Sequence, residues 1–237
     1  MKKILITNDD GIEASGIIRL ARSALKYGEV WIAAPTCQRS GVSHSMNYHS
    51  PFEVREASFP ADVAKAYAVD GSPADCVRVG VLALMPEKPD IVLSGINRGY
   101  NAGTDIMYSG TVGAAFEAVF QGIPAIAFSE GTDGAEEITN IYLDEIMGIA
   151  LDMKTQPDEI LNINFPDCTP SEYNGILYDR FMSHCCNCFH NYKRDVRPDG
   201  TVTYAVDSVY NGVTEEGSDL RALNEHFISI GTIKNLR

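Results

Sequence analysis

A chain of 237 residues, 45% apolar and 22% charged, has the size and composition of one large α/β domain or a domain with an appended arm, not of a disordered or repeat protein. Its formal net charge of −13 argues against a protein that tracks a nucleic-acid backbone, which needs a basic face, but leaves room for a small phosphorylated ligand beside a bound cation. No apolar run approaches a membrane span and the first residues lack a signal-peptide core, so a cytoplasmic protein with reduced cysteines is expected.

The first stretch, Ile4–Gly11, begins as a short apolar strand and stops at two adjacent carboxylates, Asp9 and Asp10. Ile17, Leu20, Ala21, Ala24 and Leu25 then fall at helical spacing, with Ser15 as the expected N-cap and Gly28 as the stop. In a parallel α/β sheet, ligands bind at the carboxyl ends of the strands, so this pair stands where an active site is expected. Neighbouring carboxylates repel, and both stay ionised more easily beside a cation; hard oxygen donors suit Mg²⁺, Mn²⁺ or Ca²⁺ better than zinc. Asn-Asp-Asp-Gly also reads as a plain solvated turn, and these residues alone leave both readings open.

Val30–Pro35 is a second buried strand, ended by a proline. The hydroxyl-rich loop Thr36–Ser45 leaves its end and can reach the rim that Asp9 occupies, although most loops of this composition are simply solvated. Short alternating runs near Phe52 suggest small strands, and Ala66–Val69 another. Ser72 as N-cap, Pro73 at the first helical position and Asp75 in the first turn open an apolar helix over Val77–Met85. Asp90–Ser94 is a further buried strand.

Gly95–Thr111 is a glycine- and asparagine-rich segment whose length after a strand points to function or disorder. A helix of small and apolar residues, Val112–Phe120, follows at once. Ser109, Gly110 and Thr111 therefore stand at a helix N-terminus, where free N–H groups and hydroxyls make an anion site; simple capping by Ser109 or Thr111 is the alternative. Gly122–Ser129 and Ile160–Pro166 read as strands. Between them Ala135–Met153 reads as a helix, with Ile138, Ile141, Tyr142, Ile146 and Ile149 inward. This alternation indicates a mostly parallel, doubly wound sheet. Gly-x-Gly-x-x-Gly does not follow the first strand, which argues against a dinucleotide-binding oxidoreductase.

Beyond about residue 170, short strand-like runs such as Thr201–Val206 and Phe227–Ile230 are joined by polar turns. They suggest hairpins and an extended tail, giving one domain with a core over about 1–170 and an oligomerisation arm over about 171–237. Cys185, Cys186 and Cys188 lie between His184 and His190, but their spacing matches no usual zinc pattern. Thiols in an arm or at a subunit contact are the expectation.

Thr7–Gly11, Arg39–Gly41, Gly71–Cys76, Ser94–Asn97 and Tyr108–Thr111, in this order, resemble the SurE family of survival-protein-E nucleotidases. The resemblance is specific over residues 1 to about 130 and weaker beyond. It implies a Rossmann-like three-layer α/β/α core with a mostly parallel sheet and a C-terminal β-hairpin arm. It also implies one divalent ion per subunit, Mg²⁺ or Mn²⁺, and hydrolysis of nucleoside 5′- and 3′-monophosphates to nucleoside and phosphate. Homodimers or homotetramers built through the arm are implied as well, with no nucleic-acid duplex and no membrane as partner. By matching motif, Asp9, Asp10, Ser40 and Asn97 would hold the metal, with Asp9, Asp10 and Asn97 catalytic. Asn97, Asn101, Ser109, Gly110 and Thr111 would hold the phosphate.

Three positions depart from the family pattern: Thr36-Cys37-Gln38 replaces an Asp-Arg-Asn lead-in, Ser72 replaces a threonine, and Gly231-Thr232 replaces Thr-Pro. None removes a proposed ligand. A metal-activated water is preferred to an aspartyl-phosphate route, because adjacent carboxylates in one tight turn suit cation binding. The alternatives are an exopolyphosphatase or broader phosphomonoesterase at the same site, and a non-catalytic nucleotide-sensing oligomer. The intact ligand set argues against the last.

Overall fold

Ile4, Leu5 and Ile6 of the first strand are all fully buried, and a strand with no polar side demands cover on both faces of its sheet. The computed structural model, which describes residues 1–132 and 136–234, supplies that cover with helices. In chain order the elements are β1 (Lys2–Thr7), α1 (Ser15–Ala24), β2 (Gly28–Pro35), β3 (Val54–Glu56), β4 (Lys65–Val69) and α2 (Pro73–Val79). Then come β5 (Ile91–Arg98), α3 (Gly110–Phe120), β6 (Ala125–Glu130), α4 (Glu136–Asp152) and β7 (Glu159–Phe165). The chain closes with β8 (Gly175–Leu177), β9 (Cys188–Val196), β10 (Val202–Tyr210), α5 (Asp219–Asn224) and β11 (Phe227–Lys234).

The main sheet runs β3-β4-β2-β1-β5-β6-β7-β11-β8, and every pair from β4 through to β7 is parallel. From β1 the chain first builds outward through β2 and β4, then crosses back to lay β5 on the other side. The crevice between β1 and β5 is thus the point where the strand order reverses, the place where open α/β sheets bind ligands. Alternation within β1 assigns the two cores: Ile4 and Ile6 pack under α1 and α4, while Leu5 packs under α2 and α3. The three-layer α/β/α architecture and the mostly parallel sheet agree with the sequence reading.

Several local expectations are corrected. Ala14, not Ser15, is the N-cap of α1 and makes no side-chain cap bond. Gly28 opens β2 rather than stopping the helix; a Cβ there would lie 2.2 Å from the Lys2 carbonyl oxygen of the adjacent strand. The helix begun by Ser72 has the full capping box with Asp75, yet it ends at Val79 and continues only as a π-helical turn over Gly80–Leu84. In α4, Ile138 and Ile146 face inward as expected, but Ile141 is exposed, and Leu143, Met147 and Ala150 complete the buried stripe. Apolar residues encircle this helix widely enough that periodicity alone leaves its rotation open. The expected first residue of that helix, Ala135, lies outside the described residues.

The segment after residue 170 divides in two. Residues 227–234 return to the main sheet as β11, antiparallel to β7 and paired on its other edge with β8. Only β9 and β10 stand apart, as a two-stranded antiparallel ribbon with Phe189, Tyr192, Tyr204, Val206, Val209 and Tyr210 exposed. Ile228 and Ile230 are fully buried, and their burial against β7 explains why this strand belongs to the core and not to a free tail. Among the described residues no helix is long and apolar enough to cross a membrane.

Gly16 shows how closely α1 approaches the site-bearing strand: a Cβ at this position would sit 2.1 Å from the Ile96 carbonyl oxygen. Gly16→Ala should therefore destabilise the protein by about 2 kcal/mol, although alanine is the better helix former by about 1 kcal/mol. Urea unfolding measures this; a neutral or stabilised variant would contradict the packing described.

Candidate active site

Strand β1 ends at Thr7, and Asn8 turns the chain immediately beyond it. The Asn8 amide donates to the Gly11 carbonyl at 2.8 Å, and its side-chain oxygen accepts from the Gly11 N–H at 3.2 Å. Gly11, at φ +101°, takes the backbone conformation this closure needs. Asp9 and Asp10 are thereby held on a rigid turn over the β1–β5 crevice.

Asp9 points inward and is 3% exposed. Its carboxylate accepts from the Thr111 hydroxyl at 2.5 Å, at the first turn of α3. Gly110 lets that helix start approach: a Cβ there would lie 3.0 Å from the Asp9 Cβ and 3.1 Å from its Oδ2. Ser109 caps the helix by accepting from the Val112 N–H at 3.1 Å, so the capping expectation is correct and the hydroxyl also stands at the helix mouth. Asp10 takes the other side. Its Oδ2 accepts from the Arg98 N–H at 3.0 Å at the end of β5, and its Oδ1 from the Gln38 amide at 3.2 Å. The same Gln38 nitrogen donates to the Ser40 hydroxyl at 3.0 Å, and the Arg39 N–H donates to the Asp9 carbonyl at 2.7 Å. Asn97 is the residue before Arg98; its amide nitrogen is spent on the Gly99 carbonyl at 2.7 Å, which leaves its oxygen as the open group.

Contacts thus join Asp9, Asp10, Ser40, Gly110 and Thr111 at one crevice, and Asn97 and Ser109 stand next to Arg98 and Gly110 in the chain, so four separate segments meet there. Asn101 is tied elsewhere. It is buried in a polar cluster at the ends of β6 and β7, donating from its side chain to Ser129 at 2.8 Å and from its N–H to Asn164 at 2.9 Å. Among the described residues no hydrogen bond joins it to the Asp9 group. Gln38 and the Arg39 and Arg98 N–H groups are structural partners that motif reading missed. Gln38 stood out in sequence only as a departure from the family pattern, and backbone donors carry no sequence signal.

Burial pushes the Asp9 carboxyl up to about 6 from its ordinary 3.8; the Thr111 hydrogen bond opposes the rise and the charge of Asp10 adds to it. Among the described residues neither carboxylate forms an ion pair with a lysine or arginine, and no cluster of three His, Cys, Asp or Glu side chains forms a metal site. The donors are thus two carboxylates, a hydroxyl and an amide oxygen. Hard oxygens around an uncompensated buried charge fit Mg²⁺ or Mn²⁺, which keep part of their water shell and need few protein ligands. The Cys185–Cys188 run stands apart from this crevice, at the base of the β9–β10 ribbon. Its segment is held to the loop after β5 by bonds from Thr104 N–H to the Cys185 carbonyl and from Asn187 N–H to Asp105, each 3.0 Å.

Comparison with known proteins gives one consistent result. A family model described as "Survival protein SurE" matches residues 4–188. A protein from Alkaliphilus metalliredigens named 5′-nucleotidase SurE is 35% identical over 236 residues, covering 98% of this chain and 92% of its own length. One of the same name from Thermoanaerobacter sp. is 43% identical over 167 residues; the match covers 70% of this chain and 66% of that protein, just under two thirds. The crystal structure of the SurE protein from Aquifex aeolicus superposes with a TM-score of 0.81 at 34% identity, over 99% of this chain and 94% of that one.

The raised Asp9 carboxyl carries a pH prediction. Its neutral form is the one the fold favours, so its contribution to stability is full below about pH 4 and is lost as pH rises through about 6. In metal-free buffer at pH 7.5, Asp9→Asn should be more stable than wild type by on the order of 3 kcal/mol. The gap should close as pH falls from 6 to 4. Urea unfolding across that range measures it, and a gap independent of pH would refute the assignment.

Proposed function

This chain belongs to the SurE family, and from that premise we propose that it is a metal-dependent nucleotidase that hydrolyses nucleoside 5′- and 3′-monophosphates to nucleoside and phosphate. The observation that carries the proposal is the Thr111–Asp9 hydrogen bond, which places a carboxylate suited to a cation directly against a helix start suited to an anion. A phosphate monoester needs both at once.

Asp9, Asp10, Ser40 and Asn97 would hold one divalent ion per subunit, Mg²⁺ or Mn²⁺. When bound, such an ion supplies charge against the phosphoryl oxygens and acidifies water beside it. The chain's own groups do the rest. The Gly110 and Thr111 N–H groups have no partners within the helix, and together with the Ser109 hydroxyl they bind the phosphate and neutralise the charge that builds on its oxygens, while the Thr111 hydroxyl stays on Asp9. The bare Gly110 leaves that helix start open, since any side chain there would press on Asp9. Asp10 and Ser40, gathered by Gln38, are pre-arranged before any ligand arrives. Asn101 contributes by bracing the loop that leads to Ser109, through Ser129 and Asn164. Asp9 is buried and hydrogen-bonded, which favours water over a carboxylate as the attacking group.

A homo-oligomer, dimer or tetramer, assembled through the β9–β10 ribbon completes the proposal. The ribbon has apolar side chains exposed on both faces, Phe189 and Val209 on one and Tyr192, Tyr204 and Val206 on the other, which a lone hairpin cannot bury by itself. A cytoplasmic location is proposed with it.

Phosphate release from a panel of nucleoside monophosphates and polyphosphate, with EDTA, Mg²⁺ or Mn²⁺, tests the activity. Release should require the metal, favour nucleotides over polyphosphate, and fall about 10³-fold in Asp9→Asn. Thr111→Val should lower kcat about 10²-fold. Release that survives EDTA, or a stable phospho-aspartate at position 9 or 10, would contradict this chemistry.

A further inference from the structure

Glu117 is a charged side chain that the proposed chemistry leaves unused, yet it is 1% exposed, on the third turn of α3. A carboxylate at such depth is costly unless it is paired and hydrogen-bonded. Three donors meet it: His44 Nε2 at 2.9 Å, Arg78 Nη1 at 3.2 Å and Gln121 Nε2 at 2.8 Å. Burial pushes the Glu117 carboxyl up, but the His44 and Gln121 hydrogen bonds and the Arg78 charge outweigh it and hold the group below its ordinary value.

These partners do different jobs. Arg78 joins α2 to α3, and Gln121 lies at the end of α3 itself. His44 belongs to neither helix. It sits four residues beyond Ser40 in the loop that leaves β2, and its ring also stacks on Phe120 at a centroid distance of 5.1 Å. The neighbouring Ser43 donates from its N–H to the Tyr108 carbonyl at 3.0 Å and from its hydroxyl to the Met107 carbonyl at 2.9 Å. Beneath it Gly113 is bare; a Cβ there would lie 2.5 Å from the Ser43 carbonyl oxygen. The loop therefore lies flat on α3. Ser40 lies between the Arg39 N–H on the Asp9 carbonyl on one side and, on the other, the Ser43 bonds and the His44 ring on Glu117.

We propose that the His44–Glu117 pair is a positioning device that clamps the Ser40 loop to α3 and so sets the spacing between the cation-binding oxygens and the phosphate-binding helix start. The inference rests on the function proposed above and adds to it two residues that touch neither metal nor substrate. Helix packing alone would be served by Arg78 and Gln121. The third donor reaches in from the ligand loop and so ties Glu117 to that loop as well as to the two helices.

The test is Mn²⁺ affinity, read from the EPR signal of free Mn²⁺ titrated into metal-free protein, for wild type, His44→Ala, His44→Gln and Arg78→Met. The alanine variant should bind Mn²⁺ about tenfold more weakly, the usual effect of losing a partner that orients a ligand. Glutamine, whose amide can donate to Glu117, should recover most of the affinity. Arg78→Met should lower the unfolding midpoint and leave Mn²⁺ affinity unchanged. Wild-type affinity in His44→Ala, no recovery in His44→Gln, or an equal loss in Arg78→Met would each overturn the clamp. A wild-type protein that binds no Mn²⁺ would instead overturn the function on which it rests.

Discussion

The carboxylate of Asp9 is buried with another carboxylate beside it, and among the described residues no lysine or arginine pairs with it. Such a group is tolerated because the fold surrounds it with donors: the Thr111 hydroxyl, and the N-terminal end of α3, whose dipole favours negative charge. The arrangement opposes the usual drive to keep charge in water. Burial has pushed the Asp9 carboxyl up to about 6, which shows that the surrounding donors do not fully offset the loss of water. That shortfall is what the proposed divalent cation would correct.

Topology explains why four distant loops meet at this group. Strand β1 lies between β2 and β5, so the turns after these three parallel strands open at the same end of the sheet. Each supplies one part: Asp9 and Asp10 after β1, Gln38 to Ser40 after β2, Asn97 and Arg98 at the end of β5. The helix that carries the chain from β5 to β6 then presents its start to the same point. No long-range design beyond strand order is needed to assemble the set. Small residues at Gly16 and Gly110 let the helices come close enough to complete it.

Much of this was legible in the residues. Buried apolar runs such as Ile4–Ile6 and Ile91–Leu93 announce strands, and Ser72-Pro73-Ala74-Asp75 announces its helix start correctly, because capping chemistry is local. The ordered motifs around Asp9, Ser40, Asn97 and Ser109 pointed to one site, and the structure brings those residues to one crevice. What the sequence could not express was long-range. The return of Phe227–Lys234 into the main sheet depends on β7 offering an edge, which no window of neighbouring residues encodes. The rotation of α4, with Ile141 outward and Leu143 inward, depends on what α1 and the sheet leave to be filled. The bond from Asn101 to Ser129 and the grip of Glu117 on His44 join residues 28 and 73 positions apart, and neither carries a motif.

In the proposed chemistry cation and phosphate share one site, on either side of the Asp9–Thr111 hydrogen bond. The most direct measurement is the ³¹P relaxation of inorganic phosphate added to the protein with and without Mn²⁺. If they share it, protein-bound Mn²⁺ will broaden the signal of bound phosphate strongly through close approach, and Asp9→Asn will abolish the broadening. Phosphate that binds equally well without metal, or that binds beside Mn²⁺ without enhanced relaxation, would place the two ligands apart and contradict it.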